Sequence, residues 1–429
     1  MKERLRIICA ILGAALVFAS PRQAAAEALE VNIERAVEMA AANNNRIKIA
    51  ESDVSIAGEA LRQAHRTRGV TVSVTHSSSY TDYQREAYPQ SYGNSYSNRI
   101  TASYPLYTGG ALSGAIKRAD GEYRSQNEAL RKSHQDLKLD VVRGVYTLLR
   151  AEDAANQADE STKRLAAHVN NVKIQYENGR VGKADLLRSE VELSNAAQNR
   201  IRALNERDTA IKQLNNLIGA PLDTELRIDE EMTYEKFPFT LEECVSIAMR
   251  AHPGLAMTSL AIESAEAGVR IARGETLPSA SISAVQNLGS SSSWPGAEAD
   301  SFTVGVDIQY TLTDAGTGAS KIASAVEAVR KAEYNYEQAR ESIILAVNSD
   351  YYSIMEAAER VEESVTTIGK AQEAYDIAVN RYNEGVGTNI DVVDSHSALT
   401  LASSNHTQAL CDYNIALARI ENSMGYVLK

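Results

Sequence analysis

"GRVGKADLL", residues 179–187, and "GVGTNIDVV", residues 385–393, write one device twice: a glycine, a short turn, and an aspartate six positions on. The two copies stand 206 residues apart, and the register extends well beyond them. "YPLYTGG" from Tyr104 matches "YTLTDAG" from Tyr310, Tyr146 matches Tyr352, and Gly219 matches Gly425 at that offset. "NIERAVEMAAANNNRI" from Asn32 matches "TLEECVSIAMRAHPGL" from Thr240 at an offset of 208. Self-similarity at half the chain length means a tandem duplication. The expected repeats are 27–219 and 239–429, joined by "APLDTELRIDEEMTYEKFP", residues 220–238, whose six acids and two bases read as a solvated connector.

Within each repeat the hydrophobic period changes twice. Residues 29–68 and 240–276 carry helix-type patterns, with Asn32 and Thr240 as N-caps and Pro253 near a break. Alternation follows. Val70, Val72 and Val74 oppose Thr71, Ser73 and Thr75, and Ile100, Ala102, Tyr104 and Leu106 oppose Thr101, Ser103 and Pro105. The second repeat does the same with Ala280, Ile282 and Ala284, then with Phe302, Val304, Val306 and Ile308. The expected strands are about 69–83, 95–107, 279–289 and 301–312, each long enough to cross a bilayer at a tilt.

Beyond the strands, a period of three and four persists through Val347, Tyr351, Ile354, Ala358 and Val361, and through Leu410, Tyr413, Leu417, Ile420 and Met424. That rhythm predicts long helices wound on one another, reversing at tip turns about 178–184 and 384–389. The fold class is therefore mainly α with a β portion. One face of small Ser and Thr with an apolar face opposite suits a transmembrane barrel with a wet lumen, and equally a soluble sheet packed on one side. Tyr80, Tyr83, Tyr96, Tyr104 and Tyr310, near strand ends, favour the membrane. Four strands cannot close, and an open edge is excluded in lipid, so a barrel would need several copies of the chain.

The first residues read as an export signal, 1–26: a basic start, an apolar run from Ile7 to Ala19, and small residues at Ala24 and Ala26. Its removal moves the formal charge from −12 to −15, which excludes nucleic acid as a natural partner. Cys244 and Cys411, far apart on apolar stripes, read as buried thiols rather than a disulfide framework. No H-E-x-x-H is present, "GTGASK" at 316 lacks phosphate-loop spacing, and "GALSG" at 110 is not a nucleophile elbow. No catalytic residue, metal site or cofactor is expected, and the chain does not read as an enzyme.

The duplicated order of helix, hairpin, long helix, glycine turn and helix resembles the TolC family of outer membrane efflux proteins. The residues that carry the likeness are "TLEECVSIAMRAHPGL", "PLYTGGAL", "GRVGKADLL" and "YNEGVGTNIDVV". The resemblance implies a homotrimer in outer membrane lipid, with a shared twelve-stranded barrel continued by a helical periplasmic tunnel. It implies docking to a periplasmic adaptor and an inner-membrane pump of ABC, RND or MFS type, in efflux or type I secretion. Asp391 and Asp394 match the family's aspartate rings at the closed entrance. A ring of one sign across a constriction selects cations, whereas the same two acids on a solvated first helical turn would simply favour the helix dipole. Asp185 matches a gate aspartate, but Glu384 and Asn389 stand where its tyrosine and arginine partners would fall. Gly179, Val386, Gly387 and Thr388 match tip residues that contact adaptors, although such glycines also suit any tight turn. A structural or adhesive periplasmic coiled coil with a soluble β domain is the competing reading.

Overall fold

The computed structural model describes residues 29–82, 92–290 and 299–426. The expected export signal, Tyr83 and most of both strand-connecting loops lie outside the described residues. Among the described residues, six strands run β1 (Leu29–Val31), β2 (Thr71–Asp82), β3 (Tyr92–Tyr107), β4 (Leu226–Ile228), β5 (Ser279–Ser290) and β6 (Ala299–Gln309). The described helices are α1 (Ile33–Asn43), α2 (Asn45–Arg66), α3 (Ala111–Glu177), α4 (Lys183–Ile218), α5 (Leu241–Ala251), α6 (Pro253–Glu275), α7 (Thr317–Asn383) and α8 (Asn389–Met424). No described helix is long and apolar enough to cross a membrane.

Local chemistry sets the helix ends. Asn32 Oδ1 accepts the Arg35 N–H at 2.9 Å and starts α1. Thr240 and Glu243 form a reciprocal capping box on α5, and the two Thr240 bonds hold the Glu243 carboxyl below its ordinary value. Pro253 opens α6 at a position that needs no N–H, and His252 both ends α5 and caps α6 through Nδ1.

Two compact units result. One comprises 41–140, 233–367 and 408–426 among the described residues. It holds the antiparallel sheet, ordered β2-β3-β5-β6. The register aligns Val72, Ala102, Ala284 and Val304 in one row, and Ile282 with Val306 in another, so the apolar alternation forms one continuous face. That face is uncovered: Val72 is 65% and Phe302 68% exposed. The helical core of this unit gathers Val347, Ile354, Val361, Tyr413, Ile420 and Met424, residues of the three-four rhythm, together with Cys244. Cys244 and Cys411 are both buried thiols.

The second unit comprises 29–40, 141–232 and 368–407 among the described residues. It corrects two expectations. The helix pattern expected from 29 begins instead with β1, which pairs in parallel with β4, and α1 is separated from α2 at Asn44. A three-residue strand carries too little alternation to be seen. Residues 220–238, expected as a solvated connector, contain β4 with Leu226 buried, and the fully buried Asn215 donates to the carbonyls of Leu222 and Thr224. The later part of the segment belongs to the sheet-bearing unit, where Tyr413 OH donates to the Glu235 carbonyl and Asn414 donates to that of Thr233 at 3.0 Å. Its acids made it look free, while backbone carbonyls, invisible to composition, tie it down.

Candidate functional site

The tip is built from two helical hairpins, α3 with α4 and α7 with α8, that end in the same way. Gly179 and Gly385 sit at φ 71° and 77°. In each, the following N–H reaches back five residues, Arg180 to Gln175 and Val386 to Arg381, at 2.9 and 3.0 Å. This is the Schellman closure, whose left-handed residue is cheapest as glycine. Gly387 is glycine for a different reason. A Cβ there would stand 2.9 Å from the Tyr382 nitrogen and 3.0 Å from Arg381. Its tightness is therefore internal to the turn. Gly179 faces open space, Val386 is 65% exposed, and Thr388 and Glu384 are exposed.

Behind the turns, Val172, Ala378, Tyr382 and Val392 form a small core, with Val181, Leu186, Tyr375 and Val379 packed against it. Through this core runs a buried polar cluster. Asn389, 3% exposed, donates from Nδ2 to the Asp185 main-chain carbonyl at 3.1 Å. Its Oδ1 accepts from His168 Nε2 at 2.7 Å and lies 3.1 Å from Ser189 Oγ. The His168 ring leans on Tyr382 with centroids 5.2 Å apart. Two turns further along α8, His396 Nε2 pairs with Ser161 Oγ at 2.8 Å and its ring packs on Tyr375. Burial pushes both imidazoles below their ordinary value, against the Asn389 bond at His168 and assisted by the Arg164 charge at His396. Burial and the Asp185 charge raise the Tyr382 phenol.

Of the three gate candidates, the fold joins Asp185 to Asn389 and leaves Glu384 exposed on the turn. The joining atom of Asp185 is its carbonyl, not its carboxylate. His168, Ser189 and Tyr382 complete the cluster and were not singled out from the sequence. For His168 the signal was available: like Asn389 and His396 it is a polar residue on an otherwise apolar three-four stripe, the kind of position where a buried hydrogen-bond network must sit.

Asp391 and Asp394 lie exposed on one face of the first turns of α8. Asp391 also caps its helix. Its carboxylate accepts the Thr388 N–H at 3.1 Å while Thr388 Oγ1 accepts the Asp391 N–H at 3.2 Å. These bonds hold its carboxyl below the ordinary value. Asp394 follows three residues later on the same exposed face.

A duplicated hairpin-and-long-helix chain with an open, lipid-compatible sheet defines a class of envelope channel subunits. Residues 31–220 and 245–426 match the family described as outer membrane efflux protein. The chain belongs to that family and is an outer membrane protein with a periplasmic extension. It is 22% identical over 335 residues to the alkaline protease secretion protein AprF of Pseudomonas aeruginosa, covering 76% of this chain and 69% of that one. It is also 22% identical over 325 residues to the outer membrane protein TolC of Vibrio cholerae, covering 72% of each. In fold it is similar to CusC, with a TM-score of 0.82, 16% identity and 93% of both chains covered. The open-state outer membrane channel MtrE of Neisseria gonorrhoeae gives 0.79, 19% identity, and 92% and 89% coverage. Family membership sets aside the adhesive coiled-coil reading.

Proposed function

We propose that this chain is the exit duct of a tripartite efflux or type I secretion assembly, conducting passively from the periplasmic side to the exterior. One observation carries the reading: the sheet presents an exposed apolar face yet leaves β2 and β6 as edges within the chain. Unpaired edge groups are too costly in hydrocarbon, each at several kcal/mol, so several copies must join edge to edge, and the family resemblance makes them three, a closed wall of twelve strands. An inner-membrane pump of ABC, RND or MFS type supplies cargo and energy, and a periplasmic adaptor meets the tip at Gly179, Val386, Gly387 and Thr388.

At that tip, Asp391 and Asp394 become two rings of three carboxylates, and Asp185, Glu384 and Asn389 belong to the closing machinery. The capping role of Asp391 coexists with a ring, because a carboxylate bonded through one oxygen still carries its charge. Membranes containing the purified protein are expected to show discrete, cation-preferring conductance steps that trivalent cations block from the periplasmic side. Vesicles that stay impermeable after verified insertion would refute the duct.

A further inference from the structure

Opposite its apolar side, the sheet carries a face of Ser and Thr interrupted by two charges. The register sets Thr75, Arg99, Asn287 and Ser301 in one row across all four strands. The row is bonded: Arg99 Nε donates to Asn287 Oδ1 at 2.9 Å, and Asn287 Nδ2 donates to Ser301 Oγ at 3.3 Å. Asp307 shares the face in the row of Ser281 and accepts from Ser283 Oγ at 2.7 Å. Among the described residues of this face, Arg99 is the one cation and Asp307 the one carboxylate. They are far apart, because the six steps along β6 from Ser301 to Asp307 span about 20 Å. Asp307 lies at the helix-bearing end of the sheet and Arg99 nearer the strand-connecting loops.

We infer that Arg99 is a charge-selecting residue of the barrel, its guanidinium aimed by Asn287 so that three copies form a cationic belt in the lumen that draws anionic solutes. This rests on the shared-barrel reading. Twelve strands at about 4.8 Å spacing and ordinary tilt give a wall radius of about 12 Å. A long side chain on that wall stands within about one Debye length, roughly 8 Å, of the axis, so its field reaches the whole cross-section. Asn287 lends direction without charge, and among the described residues of this face the one carboxylate, Asp307, is too distant to compensate the belt. The duct then carries two filters in series: carboxylates at the tip and guanidinium groups in the barrel. Solutes bearing both signs, such as zwitterions and polypeptides, are attracted at each, while a small cation concentrated at the tip is repelled in the barrel.

The test places a thiol two residues along the same face. Thr101→Cys is made in the full chain and inserted into lipid vesicles, and its modification by an anionic and a cationic thiosulfonate reagent of matched size is timed. Cys244 and Cys411, fully buried or nearly so, give little background. The anionic reagent is expected to react faster, and adding Arg99→Gln to lower the anionic-to-cationic rate ratio about fivefold, with Arg99→Lys retaining it. An unchanged ratio in Arg99→Gln, with the thiol still modified by both reagents, overturns the Arg99 assignment alone. A thiol reached by neither water-borne reagent overturns the barrel reading and this inference with it.

Discussion

The side-chain amide of Asn389 donates to the main-chain carbonyl of Asp185 at 3.1 Å, tying the start of α8 to the start of α4 across the two hairpins of one protomer. The tie involves no formal charge. Salt does not screen it, and it survives the loss of the Asp185 carboxylate. A sequence comparison that asks which charged residues could pair at the tip looks for the wrong atoms here.

Asn389→Ala removes that bond and strands the His168 ring nitrogen in a buried site, at a cost of about 1–3 kcal/mol, while the Asp185 carbonyl keeps its bond from Ser189 Oγ. Faster hydrogen exchange across residues 165–190 and 380–396 is the expected outcome. Asp185→Asn, which keeps the carbonyl, should leave exchange close to wild type. Equal loosening by both would show that the carboxylate carries the contact.

Burial holds His168 and His396 below the ordinary histidine value of about 6.5. The folded state therefore binds protons less readily than the unfolded one. Tip stability is complete above about pH 6.5 and declines as pH falls through the lowered folded values. Exchange at the tip, corrected for intrinsic rates, should quicken between pH 7.5 and 5.5, and His168→Gln with His396→Gln should flatten the profile. A wild-type tip indifferent to this range would contradict the burial argument.

Asp391 and Asp394 should separate by chemistry. Asp391→Ala loses the capping box and lowers the melting of α8, whereas Asp391→Asn keeps an acceptor for Thr388. Asp394→Asn carries no capping cost. If the carboxylates form the constriction, Asp391→Asn and Asp394→Asn each reduce cation preference in planar bilayers with unchanged melting. Unaltered selectivity in the double variant leaves Asp391 as a cap alone.

The two tip glycines should also differ. Gly179→Ala meets no atom and costs only its left-handed conformation, about 1 kcal/mol. Gly387→Ala drives a Cβ against the Arg381 and Tyr382 backbone and should unfold the turn, read as protease cleavage between 381 and 389. Adaptor crosslinking is therefore best probed at Gly179 and Val386, where substitutions leave the turn intact.

Much of the fold is legible in the sequence because it is periodic. Strand alternation from Val72 to Val74 and from Phe302 to Ile308, and the helical beat from Tyr413 to Met424, repeat often enough to be read, and the offset of 206 doubles each signal. β1 and β4 are three residues long and pair across almost two hundred positions, so no window contains them. At the tip, glycine spacing marked both turns, and the three-residue step from Asp391 to Asp394 put both acids on one exposed face of α8. The buried cluster escaped because its partners include a carbonyl, Asp185 O, and a histidine from another hairpin, His168, whose meeting depends on packing rather than on any local pattern.

Three copies sharing one barrel is the claim on which the duct, the rings and the belt all depend, and native mass in detergent tests it most directly. The expected result is protein recovered from outer membranes only with detergent, at three times the mass of the denatured chain. A stable single chain, soluble without detergent, would contradict it.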